Sequence, residues 1–206
     1  MKKNILFVFF VLISLNIYSK EYIEGNEYIK IKNVNNIPKI LEFFSFYCIH
    51  CYEFECFYKI PQEIKKNLPS SIKIERYHVD FFGPLGKELT KAWAVAIALK
   101  IEDKMIPIFF EGIIKTKTIK NKNDIINAFV KVNVSNKKYN YIVNSFLVKS
   151  IIKKQQNAAK HLNLQSVPSF FVNGKYKICN DVFFTEELTN YGKDYSELVK
   201  FLINKI

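Results

Sequence analysis

The chain has 206 residues, of which 49% are hydrophobic and 16% aromatic, and its formal net charge is +12. This length suffices for one domain, or for a domain that carries a sizeable insertion, and the composition excludes an intrinsically disordered protein. The 31 Lys and Arg residues are spread along the chain without an arginine-rich block or a base-stacking motif, so we expect an evenly basic surface and no nucleic-acid partner.

The chain begins with the pattern of a secretory signal peptide. Two lysines precede the apolar run Ile5 to Leu15, which is well short of the ~20 residues that cross a bilayer as a helix. We expect cleavage after Ser19, which makes residues 1–19 the signal peptide; an uncleaved anchor is the alternative, because Ile17 is larger than ideal for its position before the cut. Export agrees with paired cysteines, since disulfides persist in oxidising compartments.

A cysteine motif follows the first predicted strand. Ile40–Tyr47 is apolar except for Glu42 and Ser45, as in a strand buried on both faces. Cys48-Ile49-His50-Cys51 comes next and opens a predicted helix that ends near Leu68. Two cysteines three apart can form a redox-active disulfide there, and the unpaired N–H groups of a helix start stabilise the first sulfur as a thiolate. The motif therefore predicts a thiol–disulfide exchange enzyme.

The central part of the chain changes from alternating to helical patterns. Pro61 predicts a kink or break in the first helix, whose apolar face would hold Phe54, Phe57, Tyr58, Ile60 and Ile64. Ile72–Val79 alternates like a second strand. Helical spacing then dominates from Lys87 to about Leu162, with segments at Ala92–Leu99, Thr118–Val130, Lys138–Ser150 and Ile151–Leu162.

The last part returns to strands. Ser169–Ile178 predicts a β-hairpin turned at Asn173-Gly174, and Tyr195–Ile206 predicts an amphipathic helix. Strands and helices thus flank an all-helical block, for which an insertion is the simplest account. Val167-Pro168 precedes the hairpin; such bonds are cis in only about 5–6% of cases, but a bend facing the disulfide would leave the Val167 backbone available to an extended substrate.

The chain resembles the DsbA family of thiol:disulfide interchange proteins. The resemblance extends over nearly the whole mature chain, through Leu41–Tyr52, Arg76–Val79, Leu85–Lys87, Ala92–Ala96, Asn144–Phe146, Val167-Pro168 and Phe171–Tyr176. It implies an α/β fold, namely a thioredoxin fold (residues 20–80 and 158–206) with an inserted all-helical domain (residues 81–157). It also implies that the protein donates disulfides to unfolded exported proteins with free cysteines in the periplasm and is reoxidised by a DsbB-like membrane oxidase. We expect a monomer with no cofactor beyond its redox-active disulfide.

The resemblance also implies roles for single residues. Cys48 is the exposed nucleophile, Cys51 its buried partner, and His50 the neighbour most responsible for the low thiol pKa. Val167 and Pro168 form a cis-proline loop.

Further positions match a substrate groove and a buried charge cluster. Phe54 and Ile49 are assigned to substrate binding, with Ile49 standing where the family usually has proline. Glu42 belongs with Glu55 and Arg76 to a charged cluster beneath the disulfide, where the family usually has lysine in place of Arg76. Glu42 is either a structural ion-pair partner or a relay for the Cys51 proton.

Other functions for the cysteines need separate tests. A CxxC pair is half of a zinc site, but Cys56 and Cys179 offer no second pair, so we expect no metal. These two cysteines either form a second bridge or, as we expect, pack as small buried hydrophobes. The alternative functions are a disulfide isomerase or reductase of the same fold, and a non-enzymatic thioredoxin-like binding module or chaperone. We expect no N-terminal dimerisation domain of the kind that isomerases of this superfamily carry, because the segment before the first predicted strand is too short for one.

Overall fold

The computed structural model describes residues 21–183 and 190–205, so the expected signal peptide, residues 1–19, lies outside the described residues. Within these two ranges no helix combines the length and the apolar composition needed to cross a bilayer. One mixed sheet and eight α-helices make up this part of the chain.

Five strands form the sheet in the order β1-β5-β4-β2-β3. They are β1 Tyr28–Lys30, β2 Ile40–Phe44, β3 Ile74–His78, β4 Ser169–Val172 and β5 Tyr176–Ile178. Strands β2 and β3 run parallel, and the other neighbours run antiparallel. The predicted buried strand is confirmed but ends at Phe44, because the following backbone N–H groups bond to side chains: that of Phe46 donates to His78 Nε2 at 3.1 Å.

Strand β3 lies at one edge of the sheet, where two helices cover its outer side. Trp93 Nε1 donates a hydrogen bond to the Arg76 carbonyl at 2.7 Å. Gln155 Oε1 accepts the His78 backbone N–H at 2.8 Å. Side chains therefore bond to backbone groups that have no neighbouring strand.

The helices account for most of the remaining chain. They are α1 Ile49–Tyr52, α2 Ile60–Asn67, α3 Gly86–Leu99, α4 Glu102–Phe110, α5 Lys122–Val130, α6 Asn136–Val143, α7 Phe146–His161 and α8 Tyr191–Asn204. A π-helical turn follows α1 at Glu53–Phe57, and a second one follows α4 at Glu111–Lys115.

The helix after the cysteine motif departs from its prediction in two ways. It breaks at Lys59, whose φ is +54°, rather than at Pro61; the proline lies in the first turn of α2, where an N–H is not required. The π-helical turn also changes which side chains share a face, since its hydrogen bonds join residues five apart. Phe57, predicted to be buried, is 70% exposed.

The all-helical block between β3 and β4 departs from its prediction in several places: α4 is not among the predicted segments, the helix predicted from Thr118 begins at Lys122, and one later boundary is displaced. The predicted helices Lys138–Ser150 and Ile151–Leu162 are instead α6 and the longer α7, which meet at Asn144 and Ser145. Ser145 starts α7 because its hydroxyl accepts the Val148 N–H at 3.3 Å as an N-cap. The α7 helix continues past residue 157 to His161.

The hairpin near the C-terminus is confirmed. Asn173 and Gly174 both have positive φ, and the Lys175 N–H donates to the Val172 carbonyl at 3.1 Å to close the turn. The last helix begins at Tyr191, four residues before its predicted start.

Apolar side chains pack on both faces of the sheet and bring the cysteine motif against the helical block. Phe44, Phe46 and Cys51 share one core with the block's helices. A second core lies beneath α2 and α8 and includes Phe54 and Tyr195. The motif therefore lies where the sheet, α1 and the helical block meet.

Candidate active site

The two cysteines of the motif lie directly after β2. Cys48 has an extended backbone and caps α1, with its Sγ accepting the Cys51 N–H at 3.2 Å. Because this contact turns the sulfur back onto its own helix, Cys48 is more buried than predicted, with only 4% of its surface exposed. Cys51 is 0% exposed, so within the described part of the chain the pair is approached at Cys48.

A loop from the other end of the chain covers this approach. The Val167-Pro168 peptide bond is cis, as predicted. The Cys48 thiol donates to the Val167 carbonyl across 3.4 Å, and the Ser169 hydroxyl donates to the Ser166 carbonyl at 2.8 Å. We refer to residues Ser166–Ser169 as the proline loop. It places a backbone segment beside the accessible sulfur.

The environment shifts the pKa values of the two thiols in opposite directions. The pKa of Cys48 is lowered, most by the hydrogen bond from the Cys51 thiol and then by the Cys51 N–H and the charge of His50, while burial acts in the opposite direction. The pKa of Cys51 is raised well above its ordinary value by burial first, and then by its contact with Cys48. Of the two thiols, Cys48 therefore gives up its proton first, and Cys51 holds its proton more tightly.

His50 contributes less to the low pKa than the sequence predicts. Its side chain is 61% exposed, and its Nδ1 lies 2.9 Å from Glu53 Oε2. Solvent and the Glu53 carboxylate both weaken the field of the imidazolium at Cys48. The hydrogen bonds from Cys51 are the larger cause.

The buried charge cluster is present beneath the motif. Glu42 on β2 and Arg76 on β3 are paired in register, with Arg76 Nε 2.5 Å from Glu42 Oε2. The same guanidinium contacts Glu55 Oε2 at 2.7 Å. Burial raises the pKa of Glu42 and Arg76 opposes it, and the charge of Glu42 in turn adds to the raised pKa of Cys51.

The two predicted substrate-binding side chains occupy different environments. Ile49 is 48% exposed beside Cys48 and can contact a bound peptide. Phe54 is fully buried against Phe170 and Tyr195, so this conformation excludes direct contact with a substrate. The reason is the register of the π-helical turn, which points Phe54 inward and Phe57 outward.

His78 lies close to the active site, although no pattern in the sequence assigns it a role there. The structure buries it behind the motif, where Nε2 accepts the Phe46 N–H at 3.1 Å and Nδ1 donates to Thr90 Oγ1 at 2.8 Å. Burial lowers the pKa of His78 to about 3, so it stays neutral and keeps an acceptor for the loop that leads to Cys48. A histidine in a strand carries no local signal for such a contact.

The two remaining cysteines and the acidic residues provide no candidate metal site in the described ranges. Residues 21–183 and 190–205 contain no cluster of three or more His, Cys, Asp or Glu side chains arranged to hold a metal. Cys56 and Cys179 are free and only half-buried, so neither the second bridge nor full burial is seen.

Comparison with known proteins gives consistent matches over most of the chain. The family model described as a DSBA-like thioredoxin domain matches residues 39–191. The thiol:disulfide interchange protein DsbA of Yersinia pestis is 46% identical over 196 residues, 95% of each protein, and that of Pectobacterium carotovorum is 47% identical over the same share.

Solved structures agree with this comparison. The DsbA structure from Klebsiella pneumoniae has a TM-score of 0.87 and 37% identity, and the match covers 90% of this chain and 100% of that one. A complex of Proteus mirabilis DsbA with the non-covalently bound peptide PWATCDS matches with a TM-score of 0.86 and 43% identity, over 90% of this chain and 100% of that one.

Proposed function

Because the chain belongs to the DSBA-like thioredoxin family and is a thiol:disulfide oxidoreductase, we propose that it donates its Cys48–Cys51 disulfide to exported proteins through a mixed disulfide at Cys48. The observation that carries this proposal is the inequality of the two thiols. The accessible sulfur has a lowered pKa and the buried one a raised pKa. This arrangement favours the dithiol state, and a protein that is more stable reduced is an oxidant.

The first step opens the disulfide of the enzyme. A substrate thiolate attacks Cys48 Sγ, a substrate–Cys48 disulfide forms, and the electron pair of the broken S–S bond goes to Cys51. The raised pKa of Cys51 means that this sulfur takes up a proton. Glu42 is the buried acid whose charge acts on Cys51, which supports a relay of that proton. An unchanged rate of this step in Glu42→Gln would contradict the relay.

The second step releases the product. A second substrate thiolate attacks the substrate sulfur of the mixed disulfide and expels Cys48 as a thiolate. Two substrate thiols are thereby oxidised and the enzyme pair is reduced, with one proton on Cys51 and one released to solvent. A low pKa makes Cys48 a good leaving group, and each pH unit of depression corresponds to about 1.4 kcal/mol in favour of the thiolate.

A direct test mixes the oxidised protein with reduced, unfolded hirudin and counts the free thiols that remain. We expect the unaltered protein to transfer one disulfide per molecule and Cys48→Ala to transfer none. Cys56→Ala is the matched control and should match the unaltered protein, because Cys56 is half-buried and lies outside the pair. Transfer by Cys48→Ala at the normal rate would refute the mechanism.

Export to the periplasm is proposed from the N-terminal pattern and from the membership of the family. We expect the protein recovered from a periplasmic extract to begin at Lys20. N-terminal sequencing measures this directly, and a chain that still begins at Met1 would favour the uncleaved anchor.

Reoxidation by a DsbB-like membrane oxidase is the second part of the proposed cycle. Ile49 and Phe57 expose apolar surface on the elements that carry the motif, at 48% and 70%, which suits a protein contact. Membrane vesicles that contain such an oxidase should reoxidise the reduced protein, and more slowly for Phe57→Asp. Equal rates would remove Phe57 from the contact.

A further inference from the structure

The proline loop begins where the β4–β5 ladder runs out. The ladder pairs Phe171 with Lys177 and Val172 with Tyr176. Continued in the same register it would pair Pro168 with Asn180, but β5 ends at Ile178. The Pro168 carbonyl therefore lies beyond the last strand partner on this side of β4.

The side chain of Asn180 takes the place of the missing strand. Its Nδ2 donates to the Pro168 carbonyl at 2.8 Å, and its Oδ1 accepts the Tyr195 hydroxyl at 2.9 Å. The carbonyl can only accept a hydrogen bond, which fixes the amide nitrogen on that side and its oxygen toward the Tyr195 donor. Asn180 thus joins the proline loop to helix α8.

The anchor behind Asn180 is rigid. Tyr195 is fully buried, with its ring packed 5.2 Å from that of Phe170 and 5.7 Å from that of Phe54. Such aromatic packing in a core leaves few alternative positions for the hydroxyl. The position of Asn180, and through it that of the Pro168 carbonyl, is set by the core.

We propose that Asn180 is a positioning residue that holds the proline loop in the geometry needed to bind an extended peptide beside Cys48. The inference rests on the proposed function, since it assigns the Val167 backbone to the substrate. The bond from Ser169 to Ser166 joins the two ends of the loop, and Asn180 holds the Pro168 carbonyl within it. The Val167 carbonyl lies between the Ser166 and Pro168 carbonyls that these bonds hold, 3.4 Å from Cys48 Sγ.

The test compares two thiols that attack the same disulfide. The reduced peptide PWATCDS has a backbone that can pair with the loop, whereas dithiothreitol has none. With the oxidised protein, Asn180→Ala should slow the reaction with the peptide about five- to tenfold, as expected for one lost hydrogen bond of ~1 kcal/mol. Its reaction with dithiothreitol should stay within about twofold, because the sulfur chemistry at Cys48 is intact.

Asn173→Gly is the matched control. Asn173 also donates its amide to backbone carbonyls, those of Leu202 and Ile203 at 3.1 and 3.2 Å, and its φ of +54° suits glycine. We expect this variant to react with both thiols like the unaltered protein. Tyr195→Phe removes only the anchor of Asn180 and should slow the peptide reaction by less than Asn180→Ala does.

Three results would overturn the inference. A positioning role is excluded if Asn180→Ala reacts with the peptide as fast as the unaltered protein does. It is also excluded if the variant reacts more slowly with dithiothreitol by the same factor as with the peptide. If Asn173→Gly slows the reaction with the peptide as much as Asn180→Ala does, the effect is one of general destabilisation. If the unaltered protein reacts with neither thiol, the proposed function itself fails; if it reacts with both, only the role of Asn180 is at stake.

Discussion

Replacing Cys51 by alanine should raise the pKa of the Cys48 thiol more than any change at His50. The hydrogen bond from the Cys51 thiol is the largest cause of the lowered pKa, and alanine removes that donor while it leaves the backbone N–H groups in place. In the unaltered reduced protein, Cys48 should react with iodoacetamide at mildly acidic pH while Cys51 does not. Cys51→Ala should slow the Cys48 reaction there on the order of tenfold, since only the thiolate reacts.

Serine at position 51 provides the matched control. Its hydroxyl can donate to Cys48 as the thiol does, so Cys51→Ser should retain most of the reactivity of Cys48 at acidic pH. His50→Ala should cause a smaller loss than Cys51→Ala, because the imidazole is exposed and paired with Glu53. The rates of alkylation against pH measure all three. If His50→Ala slows the alkylation of Cys48 more than Cys51→Ala does, His50 is the main cause of the lowered Cys48 pKa.

Replacing Arg76 by methionine should produce the largest loss of stability. The guanidinium is the common partner of Glu42 and Glu55, and the removal of one member of a buried ion cluster costs about 3–5 kcal/mol. Urea unfolding at neutral pH measures this loss. Arg76→Lys keeps the charge and should lose much less, although an ammonium cannot reproduce the planar contacts of arginine.

The pH dependence of this variant has a definite sign. Burial raises the pKa of Glu42 above the ordinary carboxyl value already in the unaltered protein, and loss of Arg76 removes the main effect that opposes it. At pH values between the pKa of Glu42 in the unfolded state and its pKa in the folded state, the folded protein binds one more proton than the unfolded protein. Its stability therefore falls as pH rises through this range. Arg76→Met should therefore be less destabilised at about pH 5 than at neutral pH. An equal loss at both pH values would show that Glu42 stays ionised throughout.

The features that could be predicted from the sequence are those with a local cause. The Asn173-Gly174 turn follows from residues that accept positive φ, and the buried strand β2 follows from the apolar run Ile40–Tyr47. The spacing of the two cysteines and their position between a predicted strand and a predicted helix indicate thiol–disulfide exchange. Each of these signals lies within a few residues of the structure that it predicts.

The features that could not be predicted arise from contacts between distant segments or from small changes of helix geometry. The π-helical turn exchanges the environments of Phe54 and Phe57 without any residue that marks it. His78 and Asn180 support the active site through hydrogen bonds to Phe46 and Pro168, and neither contact is visible until the fold brings these segments together. The relative size of the effects that lower the Cys48 pKa likewise depends on interatomic distances, which the spacing of the cysteines in the sequence does not give.

The covering of strand β3 has a consequence for an enzyme that acts on other protein chains. An exposed edge strand can pair with a segment of another chain, which then adds to the sheet as a sixth strand. Such pairing is the first step of co-aggregation. Trp93 and Gln155 bond to the outward carbonyl of Arg76 and the outward N–H of His78, so these two backbone groups are not available to a strand of another chain.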